Sequence, residues 1–363
     1  MIETQKPKYL SVDTFRHENG HAPQSDRFMK TLVIGGLGFI GSNFCRQMIA
    51  EHSSYEIVNI DKIGIGANLE NLKDIEKEER YTFVRGNILD PKLLAKSIEK
   101  VDGIVNFAAE THVDRSIGHP GVFIRNNTLG TFTLLESLRK HNKKARFVQV
   151  STDEVYGDIQ EGSFTEKDAV KPSNPYSASK ASADMFVQAY CRTYDLNASI
   201  TRCTNNFGPY QFPEKFIPKT IIRALKNLQV PIYGTGRNIR DWIYVQDHCQ
   251  AIDLVFQRGR PGEIYNVSSG NELTNTEIVK KILEYLGKNE DLIAYVEDRP
   301  GHDGRYSLDS SKARSTLGWK PRHTFIEALE ATIDWYRDNE KWWKPFATKK
   351  ILSSSPWQVR GRK

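Results

Sequence analysis

A glycine-rich turn between a short apolar strand and a helix constrains the fold of this chain more than any other feature. Residues 31–34 are apolar, Gly35, Gly38 and Gly41 follow three residues apart, and a helical pattern covers residues 42–51. Glycines in this position permit a tight turn and let backbone amides approach a pyrophosphate, whose charge the N-terminus of a helix favours. Because strand, turn and helix occur in this order, the motif predicts the first βαβ unit of a dinucleotide-binding fold.

The second strand pattern indicates which dinucleotide such a turn would hold. It covers residues 56–60 and ends at Asp61, twenty residues after Gly41. A carboxylate at this point can accept hydrogen bonds from an adenosine ribose and would repel a 2′-phosphate. Lys62, the next residue, weakens this preference only slightly. The sequence therefore predicts NAD rather than NADP as the cofactor.

Short apolar strands and helices then alternate along the chain, which is typical of a parallel sheet with helices on both faces. Strands are predicted at residues 81–86, 103–107, 146–150 and 198–202, and helices at 91–100, 122–141 and 176–194. After Asn205, proline and glycine become denser and the alternation less regular. Strands are expected there at 240–245 and 263–267, and helices at 246–257, 274–286 and 325–338. The predicted fold class is α/β: a Rossmann-type doubly wound parallel sheet with a smaller, interwoven α/β substrate-binding domain.

The chain is expected to divide into four parts. These are a disordered leader (1–29), an NAD-binding Rossmann domain (30–204), a substrate-binding domain interwoven with it (205–343) and a basic flexible tail (344–363). The leader contains His17-Glu18-Asn19-Gly20-His21, which matches the zinc-protease pattern H-E-x-x-H. That pattern needs a stable helix, and the Asn-Gly pair disfavours one. We interpret it as a chance match and expect no metal site.

Composition narrows the class of protein. The 363 residues are 39% hydrophobic and 26% charged, as in an ordinary soluble globular protein, and the net charge is +6. The tail is rich in Lys and Arg, but no interleaved aromatic repeat supports nucleic-acid binding. No apolar run approaches the ~20 residues that a membrane span needs, and the N-terminus lacks a signal-type segment. Four scattered cysteines favour neither a disulfide framework nor a zinc knuckle. We expect a cytoplasmic protein with no nucleic-acid or membrane partner.

A second cluster of polar residues follows the predicted strand at 146–150. Thr152, Asp153 and Glu154 fall where that strand ends, which in an open parallel sheet is the ligand-binding edge. Tyr176 and Lys180 are four residues apart in a predicted helix, so they share one face. A neighbouring ammonium lowers the pKa of a phenol, which would let Tyr176 act as a base. Taken alone, these residues are better explained as an acidic loop, a packed tyrosine and a surface lysine than as a catalytic site.

Together with the glycine turn, these residues resemble the extended short-chain dehydrogenase/reductases that act on nucleotide sugars, and among them the dTDP-glucose 4,6-dehydratase family. The resemblance covers roughly residues 30–346. Ile34 and Asn87 depart from the family pattern, and the departure at Asn87 affects the expected hydrogen bonding to adenine. The segments that carry the resemblance are 107–114, 151–158, 174–180, 205–215, 238–245 and 298–303.

The resemblance implies that the protein removes water across C5–C6 of a nucleotide-linked glucose, while NAD is consumed and regenerated. Tyr176 would take the C4 hydroxyl proton, Thr152 would hydrogen-bond that oxygen, and Lys180 would hold the cofactor ribose and keep Tyr176 acidic. Asp153 matches the acid and Glu154 the base of the elimination. A 4-epimerase needs the Tyr/Lys pair but no acid–base pair, so Asp153 and Glu154 distinguish the two activities.

The resemblance also implies binding roles. Arginine suits a diphosphate because its planar fork pairs with two oxygens, although surface ion pairs are the usual role of arginine. The expected cofactor-binding residues are Gly35, Gly38, Phe39, Ile40, Gly41, Asp61, Lys62, Asn87, Ile88, Ala108, Ala109, Glu110, Asn127, Tyr176 and Lys180. The expected substrate-binding residues are Thr152, Asn205, Lys215, Arg240, Asn275, Arg299 and His302.

The expected substrate is dTDP-glucose and the expected pathway is deoxysugar synthesis, such as that of rhamnose. A homodimer joined through helices 122–141 and 176–194 is also implied. Three alternatives stay open at this point: the same reaction on a UDP-sugar, an epimerase or decarboxylase on the same scaffold, and a non-enzymatic NAD-binding scaffold.

Overall fold

The computed structural model describes residues 29–353, and its central element is a seven-stranded sheet in which all strands run parallel. Within these residues the strands are β1 (Met29–Ile34), β2 (Tyr55–Asp61), β3 (Tyr81–Arg85), β4 (Gly103–Asn106), β5 (Arg146–Thr152), β6 (Ala198–Cys203), β7 (Asn205–Phe207), β8 (Val230–Tyr233), β9 (Ile239–Tyr244), β10 (Ile264–Val267), β11 (Glu272–Thr274) and β12 (Ile293–Val296). The order in the sheet is β10-β6-β5-β4-β1-β2-β3. The order reverses between β1 and β4, and a crevice at such a switch point is where open α/β sheets bind ligands.

Helices cover both faces of this sheet. In the described part of the chain they are α1 (Phe39–Glu51), α2 (Pro91–Ile98), α3 (Val113–Gly118), α4 (Pro120–Phe123), α5 (Gly130–His141), α6 (Pro175–Tyr194), α7 (Phe216–Leu225), α8 (Val245–Arg258), α9 (Asn275–Tyr285), α10 (Ser311–Leu317), α11 (Phe325–Asp338) and α12 (Glu340–Trp343). Helix α1 packs beside α8 and α2 beside α5. Successive residues of β1 belong to different core clusters, Val33 to one and Leu32 and Ile34 to the other. The alternation follows from the strand period of two.

The second half of the chain is not a separate body. Strand β10 pairs with β6 and extends the main sheet, while β11-β9-β7 and β12-β8 form two small sheets. The core cluster that contains Val33 continues into Trp242 of β9 and Tyr336 of α11. The α/β fold with a parallel Rossmann sheet and an interwoven second region is confirmed, whereas the exact domain boundaries stay a prediction.

The structure differs from the sequence expectations in several local features. The single helix expected at 122–141 is interrupted, since α4 passes into a π-helical turn at Ile124–Leu129 before α5 begins. Such one-turn bulges are frequent at functional sites, and this one carries the buried Asn127. Several short elements (α3, β7, β8, β11, β12, α10, α12) were not expected. Helix α7 was also missed, although its ten residues have an amphipathic pattern.

The two ends of the described chain also bear on the predicted boundaries. Met29, assigned to the leader, is the first residue of β1 and donates to the Ser54 carbonyl. Leu352, assigned to the tail, is buried in the core, and Arg223 donates to its carbonyl. The H-E-x-x-H match and the remaining tail lie outside the described residues. Among those described, no helix is both long and apolar enough to cross a membrane, and no three His, Cys, Asp or Glu are grouped to hold a metal ion.

Candidate active site

A cavity of about 310 Å³ opens at the carboxyl edge of the main sheet. It is lined by the ends of β1, β2, β4, β5 and β6 and, from the second half of the chain, by residues that include 211–217. The switch point between β1 and β4 therefore faces residues of the second half across one space. We call residues 35–41 and 152–154, with Asp61 and Ala108, the strand-end wall of this cavity.

The glycine turn brings backbone against backbone. Gly35 has a φ of +83°, and a Cβ built there would lie 2.7 Å from the Ala108 nitrogen. A Cβ on Gly41 would lie 2.5 Å from the Gly35 oxygen. Helix α1 begins directly after Gly38 without a side-chain cap. Its first amides are therefore free to bind an anion in the cavity.

Asp61 serves the turn as well as the cavity. Its Oδ2 accepts a hydrogen bond from the Leu37 amide at 3.1 Å, and its Oδ1 accepts one from the Ile63 amide at 2.7 Å. Burial raises the pKa of this carboxyl, and these two amides oppose the rise. A carboxylate accepts about four hydrogen bonds, so Asp61 retains capacity for a ribose in the cavity that it lines.

Thr152, the last residue of β5, and the two residues that follow it form one connected group. Thr152 Oγ1 donates to Asp153 Oδ1 at 3.0 Å and accepts from the Glu154 amide at 3.3 Å. Asn174 Nδ2 donates to Glu154 Oε2 at 3.4 Å. Burial, followed by the charge of Glu154, raises the pKa of Asp153 well above its ordinary value. Burial also raises the pKa of Glu154, but nearby cations oppose that rise. The two carboxyls therefore have unequal environments, as an acid and a base require.

Tyr176 and Lys180 lie in the first turns of α6, as expected. Asn174 caps this helix and Pro175 occupies its first position, which fixes where the helix begins. Lys180 Nζ donates to the Val150 carbonyl at 2.7 Å. Both side chains are buried and line the cavity.

The expected effect of Lys180 on the acidity of Tyr176 does not appear in this arrangement. Burial, followed by the charge of Glu154, raises the pKa of Tyr176 well above its ordinary value, and a hydrogen bond with Thr152 opposes the rise. Burial lowers the pKa of Lys180 itself. The ammonium points at the backbone of β5, and the desolvation of the phenol outweighs any favourable charge.

Three cations, which we call the basic group (Lys215, Arg240 and Arg299), act on Glu154 from the second half of the chain. Each lowers the pKa of Glu154 against the effect of burial. Lys215 Nζ donates to the Thr111 carbonyl at 2.7 Å and lines the cavity. Arg299 Nη1 pairs with Asp114 Oδ1 at 2.8 Å.

Arg240 is held by the loop that follows β12. Its Nη2 donates to the Asp303 carbonyl at 2.9 Å and its Nη1 to the Ile239 carbonyl at 2.7 Å. The guanidinium carbon lies 4.3 Å from the centre of the Tyr306 ring. The side chain therefore supports the loop while its charge reaches Glu154.

The structure brings most of the expected site residues to the cavity. All five catalytic candidates line it, as do thirteen of the fifteen cofactor candidates. Asn87 and Asn127 do not line it. Asn87 accepts from the Leu89 amide, and Asn127 holds the Glu110 backbone through both its amide atoms, at 2.8 and 3.0 Å. Asn127 therefore holds in place Glu110, which lines the cavity.

The substrate candidates divide into two sets. Thr152, Asn205 and Lys215 line the cavity, whereas Arg240, Asn275, Arg299 and His302 do not. Asn275 is the first residue of α9. His302 Nδ1 lies 2.7 Å from Asp298 Oδ1, and burial lowers the pKa of His302 to about 4.

Sequence reasoning missed several residues that line the cavity. Glu214 and Trp242 lie inside the segments that carry the resemblance, so inspection of those segments would have found them. The same holds for Phe212, which lies in the segment 205–215. The loop at residues 64–67, which also lines the cavity, follows no periodic pattern and gave no signal.

Several buried polar atoms of the cavity lining have no hydrogen-bond partner among the described residues. They are Asp153 Oδ2, Ser151 Oγ, Thr204 Oγ1, Gln211 Oε1 and Trp242 Nε1. A buried polar group without a partner is costly, so a polar ligand that meets these atoms is favoured. A sugar with several hydroxyl groups has this chemistry.

Comparisons with known proteins agree with this geometry. The family model described as GDP-mannose 4,6 dehydratase matches residues 32–332. A dTDP-glucose 4,6-dehydratase of Streptomyces niveus is 47% identical over 332 residues, covering 90% of this chain and 98% of that protein. The low-salt glycan biosynthesis protein Agl12 of Haloferax volcanii is 48% identical over 313 residues, covering 86% and 100%.

A solved structure is similarly close. The dTDP-glucose 4,6-dehydratase DesIV of Streptomyces venezuelae, crystallised with NAD and dTDP bound, is 46% identical, with a TM-score of 0.86 and coverage of 87% of this chain and 99% of that one. The sequence match and the fold match thus extend over nearly the same residues. This protein belongs to the nucleotide-sugar 4,6-dehydratase family, in the branch that contains the dTDP-glucose 4,6-dehydratases.

Proposed function

We propose that the protein is an NAD-dependent hydro-lyase that converts dTDP-glucose to dTDP-4-keto-6-deoxyglucose and water. The observation that carries this proposal is that Asp153, Glu154, Tyr176 and Lys180 line the same cavity as the glycine turn. Tyr176 and Lys180 are then available for the oxidation of a sugar, and Asp153 and Glu154 for the elimination of water from the same sugar. A 4-epimerase would need only the Tyr176–Lys180 pair.

The lining fits NAD. The free amides at the start of α1 suit a pyrophosphate, and Asp61 suits a ribose without a 2′-phosphate. Bound in its oxidised form, NAD would bring a positive charge to the cavity and would supply the redox chemistry: it would take up hydride from C4 and give it back at C6, while Glu154 returns a proton to C5 so that the reduction balances.

Oxidation at C4 requires a base for the hydroxyl proton. Tyr176 is the residue assigned to take that proton. Burial holds the pKa of its phenol well above the ordinary value, the hydrogen bond with Thr152 opposes that rise, and the positive charge of oxidised NAD would favour the phenolate further. Thr152 also lies beside Asp153, so one hydroxyl connects the oxidation site with the elimination site. Lys180, fixed on the Val150 carbonyl, lines the cavity and has two further N–H groups that a cofactor ribose could accept from.

Elimination requires a base at C5 and an acid at C6. The C4 ketone acidifies the C5 proton, which Glu154 takes, while Asp153 donates a proton to the departing C6 hydroxyl so that water leaves. The raised pKa of Asp153 favours its protonated form, and the cations around Glu154 favour its carboxylate against the effect of burial. The roles assigned from the resemblance therefore agree in direction with the electrostatics.

Binding of the diphosphate is assigned to the basic group, with Asn205, Asn275 and His302 as further contacts. Arginine pairs with phosphate oxygens through two N–H groups. Arg299 keeps Nε without a partner among the described residues, and a phosphate oxygen would satisfy it.

A parallel assay tests the proposal and its main alternative. The purified protein is incubated with dTDP-glucose or with UDP-glucose, and the 4-keto-6-deoxy sugar and any 4-epimer are measured. We expect 4-keto product mainly from dTDP-glucose and bound NAD in the purified sample. Product from UDP-glucose alone would reassign the nucleotide, and absence of product from both would overturn the proposal.

We also propose a cytoplasmic homodimer. All four cysteines are free thiols, which suits a reducing compartment. Val122, Ile124 and Leu129 around the π-helical turn, and Met185 on α6, are exposed apolar residues, each 47–59% exposed. Apolar patches of this kind mark interfaces. We expect Met185→Glu to convert a dimer to a monomer in light scattering, and a wild-type monomer would refute the assignment.

A further inference from the structure

The C-terminal end of the described chain packs against the outside of the cavity. Trp342 of α12 lies in an aromatic cluster, with its ring centroid 5.0 Å from that of Trp335 and 5.8 Å from those of Tyr210 and Phe346. Packing of four aromatic rings fixes the orientation of the indole. The N–H of that indole therefore has a defined direction.

The indole N–H reaches a buried side chain on the cofactor side of the protein. Trp342 Nε1 donates to Asn71 Oδ1 at 2.8 Å, and Asn71 Nδ2 donates to the Leu37 carbonyl at 2.8 Å. Asn71 is 1% exposed. Because an indole N–H only donates, Asn71 must present its oxygen to Trp342, and its NH₂ group then faces Leu37.

Leu37 is part of the glycine turn and is held from both sides. Its carbonyl accepts from Asn71, and its amide donates to Asp61 Oδ2 at 3.1 Å. A chain of hydrogen bonds therefore joins Trp342, Asn71, Leu37 and Asp61. Asn71 and Leu37 are both buried, and Asp61 lines the cavity itself.

The same aromatic cluster touches a second segment of the lining. The Phe346 ring lies 5.5 Å from the ring of Phe212, and the Tyr336 hydroxyl donates to the Gln211 carbonyl. Gln211 and Phe212 both line the cavity. The C-terminal end thus contacts the cavity lining at two points that are far apart in sequence.

We propose that Trp342 is a positioning residue for the cofactor, which acts through Asn71 to hold the glycine turn in the shape that binds a dinucleotide. This inference rests on the proposed function only in that NAD occupies the turn. Loss of the indole N–H leaves Asn71 with one partner fewer, so the turn becomes looser while Asp153, Glu154 and Tyr176 stay unchanged. The consequence is faster release of the dinucleotide without damage to the chemical step.

The test compares two variants that each remove one indole N–H from helix α12. Trp342→Phe removes the donor to Asn71. Trp343→Phe is the matched control, because Trp343 Nε1 donates at 2.6 Å to the Tyr336 carbonyl, which is not part of the chain to the turn. The rate at which bound NAD exchanges with isotopically labelled NAD is measured on each purified holoenzyme, together with kcat at saturating NAD and the melting temperature.

We expect Trp342→Phe to exchange NAD about fivefold faster than wild type, with kcat within about twofold, as loss of one hydrogen bond implies. Trp343→Phe should match wild type in exchange even where its melting temperature falls. Equal exchange rates in wild type and Trp342→Phe, or equal acceleration in both variants, would overturn the inference.

A second variant covers the case in which Trp342→Phe fails to fold. Asn71→Asp still accepts from the indole but cannot donate to the Leu37 carbonyl, so it should also accelerate exchange; an unchanged rate would contradict the inference. Wild-type turnover of dTDP-glucose is measured in parallel. A wild type that holds NAD but makes no 4-keto sugar would refute the proposed function and leave the exchange comparison valid.

Discussion

The strand-end wall and the basic group serve one cavity but are built in different ways. The strand-end wall consists of residues at fixed positions after parallel strands, so its geometry follows from the sheet. The basic group comes from strand β9 and from loops of the second half, and its side chains are held by carbonyls and a carboxylate. Position in the sheet therefore determines the geometry of the strand-end wall, whereas long-range contacts determine the geometry of the basic group.

This difference separates chemistry from binding. Asp153 and Tyr176 are buried against the sheet, where their pKa values depend mainly on burial. Arg240 and Arg299 reach the site through charge, since they lower the pKa of Glu154 while their own hydrogen bonds are directed to the protein. The residues at the sheet edge therefore supply the reacting groups, and the cations of the second half adjust the pKa of Glu154.

The strongest test of the strand-end wall is Glu154→Gln. Removal of the base should lower formation of the 4-keto product by about 10²–10⁴-fold, while oxidation at C4 continues and NADH accumulates on the enzyme. NADH absorbance and product are followed in the same sample.

Glu161→Gln is the matched control, because Glu161 is an exposed residue of the loop that follows residues 151–158, the segment that contains Glu154. It should leave product formation unchanged. A Glu154→Gln enzyme that makes product at the normal rate would show that the base lies elsewhere, and one that accumulates no NADH would place Glu154 in the oxidation step.

The second test concerns the glycine turn. Gly35→Ala places a methyl group at a φ of +83° and 2.7 Å from the Ala108 nitrogen, so both strain and contact oppose it. Backbone strain alone costs about 1–3 kcal/mol. We expect the purified variant to carry little NAD and to lose at least about tenfold in activity at limiting NAD.

Gly162→Ala separates the effect of backbone strain from the effect of the close contact with Ala108. Gly162 has a φ of +74°, but nothing lies within 4 Å of an added Cβ. This variant should lose some thermal stability and keep its NAD. Equal loss of NAD in both variants would mean that strain anywhere in the chain is sufficient, and the close approach at Ala108 would have no special part.

How far the sequence predicts each region follows from the same comparison. The parallel sheet, the glycine turn, Asp61 and the Tyr176–Lys180 helix depend on local periodicity and short spacings, so they were predictable. The resemblance selected Arg240 and Arg299 as candidate site residues, but it did not predict their hydrogen-bond partners. Arg299 pairs with Asp114 from 185 residues away, and Trp342 meets Asn71 from 271 residues away.

The direction of a pKa shift was also beyond the sequence. Tyr176 and Lys180 were correctly placed on one helix face, and a lower pKa for Tyr176 was expected from their spacing. The sequence does not reveal that Lys180 donates to the Val150 carbonyl or how deeply the phenol is buried. Desolvation depends on everything packed around a group, which no local pattern records.

The smallest expected effect concerns the basic group. Lys215→Gln removes one of the cations that lower the pKa of Glu154, while the amide can still donate to the Thr111 carbonyl. The pKa of Glu154 should rise further above its ordinary value. Because the base must be ionised, the acid limb of kcat/KM against pH should move to higher pH, by about half a unit.

Lys219→Gln provides the comparison for this shift. Lys219 lies one turn further along α7, donates to the Ser353 carbonyl, and has a pKa lowered by burial to about 8. Its charge is not among those that act on Glu154, so the acid limb should stay in place. A Lys215→Gln profile that falls in height without moving along the pH axis would assign Lys215 to substrate binding alone. A limb that moves to lower pH would exclude Glu154 as the group whose ionisation it reports, because loss of a neighbouring cation can only favour the neutral carboxyl.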